Sequence, residues 1–411
     1  MRTQLRTTGL AAQHGLDSLC ARNHLRCQAK VLTTRKGSTT RLITGTPLGY
    51  GADELAKAYG LAAAPKGTGT IALLGTGAYP NLESDLTIYR DTYHLPRCTT
   101  ASGCLKVVDY RGGRPRQPST DEFGQLVEEE VSVETALDVQ MASAACPTCK
   151  IVFVQLPWQD GAPADLPAQD IATSHFATGV RTAVRLGAKG ASISYGYDVD
   201  KSDLTGPTAA ALRQPGVALF SSSGDSGFIG DSGQWPQSLP TVISAGGTSL
   251  YLGGGGARGY TDVAWAGAGS GCTPGVAPAV GQPRSVSKAC DGSRAASDVS
   301  AVADPYTGVA VYDSYAPATG FPPGFLVVGG TSASSPLLAG AAVRGGVPKT
   351  LVGPNLLYAA KPGTFVDVTL GSNAPPHGCE SQLFDTRLCV AGRGWDGPTG
   401  LGVPSGRYPL S

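Results

Sequence analysis

From Gly49 onward the chain alternates short, wholly apolar runs with stretches of helical spacing. The apolar runs are TIALLGTGAY (70–79), KIVFVQLP (150–157), ASISYGY (191–197), VALFSSSGD (217–225) and TVISAGGTS (241–249). Runs so short, apolar on both alternating faces, predict strands buried on both sides. Between them, residues 52–61, 83–93, 127–147, 170–188 and 207–216 predict helices. In 127–147, Val133, Leu137, Met141 and Ala144 return on one side. This alternation predicts an α/β fold with a mostly parallel central sheet and helices on both faces. In such sheets functional groups gather beyond the carboxyl ends of the strands. Residues 1–47 are polar and rich in Thr and Arg, and read as a partly ordered arm before a domain spanning 48–411. Residues 253–325 read as Gly/Pro/Ala-rich loop carrying two short strands, ASDVSAVADP and GVAVYDSY.

Composition narrows the class. Only 15% of the 411 residues are charged, against a usual share of about 25%. With 41% hydrophobic residues and 57 glycines, the chain is a loop-rich globular protein with a sizeable core. A net charge of +1 without a basic run excludes an electrostatic footprint for nucleic acid. Apolar stretches such as 325–343 are interrupted by Gly, Ser, Thr and Pro, so no membrane span is expected.

The ten cysteines fall as near neighbours: Cys20/Cys27, Cys98/Cys104, Cys146/Cys149, Cys272/Cys290 and Cys379/Cys389. That spacing suits five loop-stapling disulfides and an oxidising, extracellular setting, with the pairing itself open. CPTC (146–149) has a second reading, a redox dithiol or half a zinc site. The N-terminal MRTQLRTTGLAAQHG holds no apolar secretion segment, so the extracellular reading rests on the cysteines.

Candidate chemistry centres on VVGGTSASSPLLAG (327–340), where a strand meets two glycines, Thr331 and Ser332, and then a helix. A serine nucleophile needs a group to take its proton. None of the five histidines (His14, His24, His94, His175, His377) stands in the H-G-T-like turn expected of a histidine base. VSVETALDVQ offers another base. Glu134 and Asp138, four apart, project from the same side of a helix. Set among Val133, Ala136, Leu137, Val139 and Met141, they should share a proton. The plainer reading is a solvated acidic face, since EEE stands upstream at 128–130. In LFSSSGDSGFIG (219–230), Asp225 follows a buried strand. It reads either as a turn cap or as a protonated carboxyl that donates to a developing oxyanion.

The ordered motifs ETALD, SSGDSG, GGTSASSP and FVDVTLGSN…AGRGWDGPTGLGVP resemble the sedolisin family of serine-carboxyl peptidases. The likeness spans roughly Gly49 to Pro404. It implies a subtilisin-like three-layer sandwich and a secreted, monomeric endopeptidase that hydrolyses peptide bonds at acidic pH. Ser332 becomes the nucleophile, Glu134 its general base, Asp138 the support of Glu134, and Asp225 the oxyanion donor. It also implies a Ca²⁺ site within about 365–404. There Asp367 and Asp396 give carboxylate oxygens, and Val368, Gly392 and Gly394 give backbone carbonyls, an oxygen set suited to that ion. The implied partners are peptide or protein substrates and a propeptide absent from this chain, of which only about forty-seven residues precede the domain. GGTSAS replaces the SGTSAS of many relatives, and the segment NAPPHGCESQLFDTRLC is an insertion. An alternative reading keeps the fold as an inactive secreted binding module, and a third is a histidine-dependent hydrolase using His175.

Overall fold

A computed structural model describes residues 13–20, 27–38, 40–61, 67–157, 173–198, 203–254, 258–320, 322–374, 379 and 384–406. The central sheet has eight strands: β3 (Thr70–Thr76), β4 (Leu105–Asp109), β5 (Lys150–Leu156), β6 (Ala188–Ile193), β8 (Ala218–Ser222), β10 (Ile243–Leu252), β11 (Tyr260–Ala264) and β14 (Val299–Val302). Their order is β11-β10-β8-β6-β3-β5-β4, with β14 also on β10. All pairings are parallel except β10 with the edge strand β11.

Residue alternation builds three layers. Ile71 and Leu73 of β3, with Ile151 and Phe153 of β5, join one core. Ala72, Leu74, Val152, Val154 and Leu156 join the other. The first core takes in the helices Ala52–Ala58, Leu82–Thr92, Glu122–Ala145 and Thr331–Gly345, while Thr173–Arg185 and Gly206–Leu212 cover the opposite face. Wholly apolar strands are therefore required, since both faces are covered.

The Glu122–Ala145 helix is buried almost all round from Val127 to Ala145, not only along the stripe of Val133, Leu137, Met141 and Ala144. It lies against Thr331–Gly345 through Gly340, where a Cβ would stand 2.7 Å from Ala145 Cβ and 2.9 Å from Ala142 O. Any larger residue would push the two helices apart, so this glycine fixes the spacing between the acid pair and the Ser332 helix. The acidic run at 128–130 is no solvated face. Glu128 accepts from the Ser119 N–H (3.0 Å) and the Tyr315 hydroxyl (3.1 Å), and Glu129 from the Ala318 and Thr319 N–H groups (3.2 and 3.0 Å).

A second sheet departs from the expected pattern. The run before Ser332, β16 (Gly324–Gly329), lies outside the parallel sheet, antiparallel to β15 (Val309–Asp313) and β2 (Lys30–Leu32). β1 (Leu16–Ser18) pairs antiparallel with β2. An apolar run shows that a strand is covered on both faces but not which strand lies beside it, so its direction was not legible. Part of the N-terminal arm is thus woven into the domain. Short ribbons complete the fold: β7 (Tyr197–Asp198) with β9 (Gln234–Trp235), β12 (Gly271–Thr273) with β13 (Arg294–Ala296), and β17 (Phe365–Val366) with β18 (Val403–Pro404). β4, β11, β12 and β13 lie in text that carried no strand expectation.

All ten cysteines are paired, each with its near neighbour. CPTC is closed as a disulfide between Cys146 and Cys149. Among the described residues, no helix is long and apolar enough to cross a membrane.

Candidate active site

Four chain segments meet at Ser332. The two glycines at 329–330 turn the chain out of β16, and Gly330 has φ +104°, a region L side chains rarely adopt. Ser332 is therefore the second residue of a buried helix, where unpaired N–H groups and the helix dipole favour developing negative charge. Its hydroxyl donates to Ser194 O at 3.3 Å.

Glu134 and Asp138 face this point from the neighbouring helix, both buried. Burial above all, then the negative charge of Asp138, pushes the Glu134 pKa well up, with a smaller push from Asp225. Ser332 sits close enough to stabilise its carboxylate. Neither Glu134 oxygen holds a fixed partner among the described residues. Burial likewise raises Asp138, opposed by the Ser194 hydroxyl donating to Oδ1 at 2.7 Å. Two like charges this near in a dry site cannot both ionise freely.

Asp225 follows β8. Its Oδ1 accepts from the Thr331 N–H (2.7 Å) and hydroxyl (3.0 Å), while Oδ2 is buried without a partner among the described residues. Burial pushes its pKa up to about 6, against the opposing charge of Lys30. With Oδ1 saturated by donors, the proton belongs on Oδ2. Lys30 donates to the Asp225 carbonyl at 2.7 Å and lies 5.4 Å over the Trp265 ring.

Among the described residues, no histidine joins the group. His14 bonds the Thr33 carbonyl (2.8 Å), and His175 packs edge-on against Tyr110. His94 lies just past the Leu82–Thr92 helix, while His24 and His377 lie outside the described residues.

The structure brings Ser332, Glu134, Asp138 and Asp225 together. Sequence reasoning missed Ser194, Thr331 and Lys30 as members of the same site. Ser194 lies in the apolar ASISYGY run, and nothing local marks it as a bridge between Asp138 and Ser332. Nearby, Trp235 is fully buried against Phe176 and Tyr197. Gln234 Oε1, by contrast, would stand 2.8 Å from a Cβ on Gly196.

Two of the residues expected to hold Ca²⁺, Asp367 and Asp396, bond the backbone of the 392–399 turn. Asp367 Oδ2 accepts from the Gly394 N–H (2.9 Å) and Asp396 Oδ2 from the Gly392 N–H (3.1 Å), while Asp396 Oδ1 takes the Thr399 N–H and hydroxyl. Pairing of β17 with β18 brings Asp367 to this turn. Among the described residues, no cluster of three or more His, Cys, Asp or Glu side chains is arranged for a metal. The donor chemistry fits a hard cation only with backbone oxygens added to the two carboxylates.

No family model matches the chain. It is 28% identical to kumamolisin of Bacillus sp. over 325 residues, covering 72% of this chain and 52% of that protein. It is 35% identical to tripeptidyl-peptidase sed1 of Aspergillus fumigatus over 122 residues, 28% of this chain and 16% of that one. The chain thus spans about half the length of kumamolisin and less of the second relative. Among solved structures it shares its fold with Pseudomonas sedolisin, a serine-carboxyl proteinase complexed with two molecules of pseudo-iodotyrostatin. The TM-score is 0.65 and the identity 24%, over 88% of this chain and 96% of that one. The chain is thus similar in sequence, across most of its length, to a peptidase of the sedolisin type, and it shares the subtilisin-like fold of the serine-carboxyl proteinases.

Proposed function

We propose that the protein is a secreted serine-type endopeptidase that cleaves peptide or protein substrates by acyl transfer at acidic pH. The observation that carries this reading is the meeting of one buried hydroxyl, Ser332, with a proton-sharing acid pair and a separate carboxyl whose Oδ2 is free to donate. Ser332 Oγ attacks the carbonyl carbon as Glu134 takes its proton. Asp138, anchored by Ser194, holds Glu134 in place and sets its proton affinity. Protonated Asp225 and the Ser332 N–H bear the oxyanion. Glu134 then returns the proton to the leaving amine, and water repeats the cycle on the ester.

A carboxylate base and a protonated carboxyl donor coexist only below neutral pH. Five disulfides and the likeness to kumamolisin support an extracellular location. At the 392–396 turn we propose a stabilising Ca²⁺, held by Asp367 and Asp396 with the carbonyls of Val368, Gly392 and Gly394. The test is hydrolysis of a quenched fluorescent peptide library by wild type and Ser332→Ala across pH. Activity confined to wild type and rising toward acid supports the assignment, and a rate maximum at about pH 8 would exclude it.

A further inference from the structure

A scissile carbonyl has to reach the Ser332 N–H, the amide assigned to the oxyanion. In the structure that N–H donates to the Gln28 carbonyl at 2.9 Å, and the Gln28 N–H donates to Ser194 O at 3.0 Å. The Gln28 side chain therefore marks where the side chain just before a scissile bond comes to rest. It is buried, and its end lies at a gap between two glycines. A Cβ on Gly196 would collide with Gln28 Nε2 and stand 2.8 Å from Gln234 Oε1. A Cβ on Gly224 would stand 2.9 Å from that same oxygen. Neither glycine puts a side chain into the gap, so Gln234 supplies its polar end. Gln234 stands on the β7–β9 ribbon opposite Asp198, and its Oε1 accepts from Gln237 Nε2 at 3.3 Å. The same Gln237 nitrogen donates to Ser223 O at 3.2 Å, and Gln237 is buried. A flipped Gln237 would turn its oxygen onto the Ser223 carbonyl, and a flipped Gln234 would set donor against donor. Both amides are thus fixed, with the Gln234 oxygen facing the gap. That oxygen has two lone pairs, of which Gln237 takes one.

Resting on the function proposed above, we propose that Gln234 selects the side chain just before the scissile bond and favours glutamine there. The second lone pair of Oε1 accepts an N–H from an amide side chain of that length, and the bare glycines leave room for it. Methionine has a similar length but fills the gap without pairing the oxygen. Glutamate sets acceptor against acceptor. A site that hydrogen-bonds part of its substrate rejects an analogue lacking that group more strongly than apolar contact alone would. Gln234 therefore acts on which peptides are cut, while the bond-breaking groups stay those already described.

The test gives the purified full chain matched quenched fluorescent peptides that differ only in Gln, Met, Glu or Lys before the scissile bond. Mass spectrometry of the products locates the cut. At about pH 5, where a glutamate side chain is largely ionised, wild type should cleave the Gln peptide with kcat/KM about tenfold above the Met peptide. The Glu peptide should be poorer still. Gln234→Leu should bring the Gln-to-Met ratio to about one. Gln234→Glu should raise the Lys-to-Gln ratio about tenfold. Each ratio is taken within one preparation, so a smaller folded fraction cannot mimic it. Equal rates on Gln and Met in wild type overturn the inference and leave the proposed function standing. A Gln preference that survives both substitutions does the same. If wild type cuts none of these peptides and none of a mixed peptide library, the proposed function falls and the inference with it.

Discussion

Replacing Asp225 by Asn isolates the proposed oxyanion donor, because the structure dictates which atom the amide nitrogen would occupy. Oδ1 is held as an acceptor by two donors from Thr331. An Asn side chain therefore keeps its oxygen there and places its NH₂ where Oδ2 now stands. The variant donates at every pH, whereas Asp225 donates only while protonated, below about 6. Wild-type kcat/KM should fall roughly tenfold per pH unit above that value, and at pH 8 only about one molecule in a hundred would carry the proton. Asp225→Asn should lose this alkaline limb, and Asp225→Ala should lose on the order of 10²–10³-fold at all pH values. Stability gives an independent reading. The Asp225 pKa is raised on folding, so its favourable contribution is present below the unfolded value and lost as pH rises through about 6. A carboxyl moved from 3.8 to about 6 represents about 3 kcal/mol at neutral pH. Asp225→Asn should therefore gain up to about 3 kcal/mol in urea unfolding at pH 7 and little at about pH 3. An alkaline limb that survives in Asp225→Asn, or a variant less stable at pH 7 than at acid pH relative to wild type, refutes the protonated-donor mechanism.

Asp138→Asn keeps an acceptor for the Ser194 hydroxyl and removes the charge that helps raise Glu134, so the acid limb of the rate profile should move to lower pH. Glu134→Gln should cost on the order of 10⁴-fold in kcat without loss of fold, read by circular dichroism beside the rate assay. Lys30→Met removes the cation that lowers Asp225, so the alkaline limb should shift upward, as a pH titration of kcat/KM will report. Chelation of Ca²⁺ should lower Tm by several degrees in scanning calorimetry, and Asp396→Ala should abolish the difference.

Much of the site was legible because its chemistry is local in the chain. Glu134 and Asp138 are one helical turn apart, and Asp225 and Ser332 each follow a buried strand and a glycine turn. Their meeting depends on packing that no local pattern encodes. Gly340 lets the two helices approach, yet in sequence it is one small residue in an Ala-rich stretch. The same holds for the acidic run at 128–130, which reads as solvated until Ser119, Tyr315 and the 318–319 backbone arrive from elsewhere to satisfy it. The N-terminal arm was the hardest part to read. Its polar, Thr-rich text carries no core signal, because Gln28 and Lys30 engage the site through backbone amides, a carbonyl and one ammonium group.

In the proposed mechanism, burial is also what lets a carboxylate stand where commoner serine hydrolases use imidazole. In water a glutamate near pKa 4.3 is too weak a base to draw a proton from a serine hydroxyl. Enclosed on a helix buried almost all round, with Asp138 one turn away, Glu134 is pushed well above that value and becomes a stronger base. The same surroundings keep Asp225 protonated to about 6. A single physical device, desolvation, thus prepares a base and an acid from one residue class, and what separates their roles is hydrogen bonding. Asp138 is tied down by Ser194 and Asp225 Oδ1 by Thr331, while neither Glu134 oxygen has a fixed partner among the described residues. The free carboxyl is the one placed to carry a proton back and forth, so a fixed hydrogen bond engineered onto Glu134 should slow the chemistry even where it stabilises the fold.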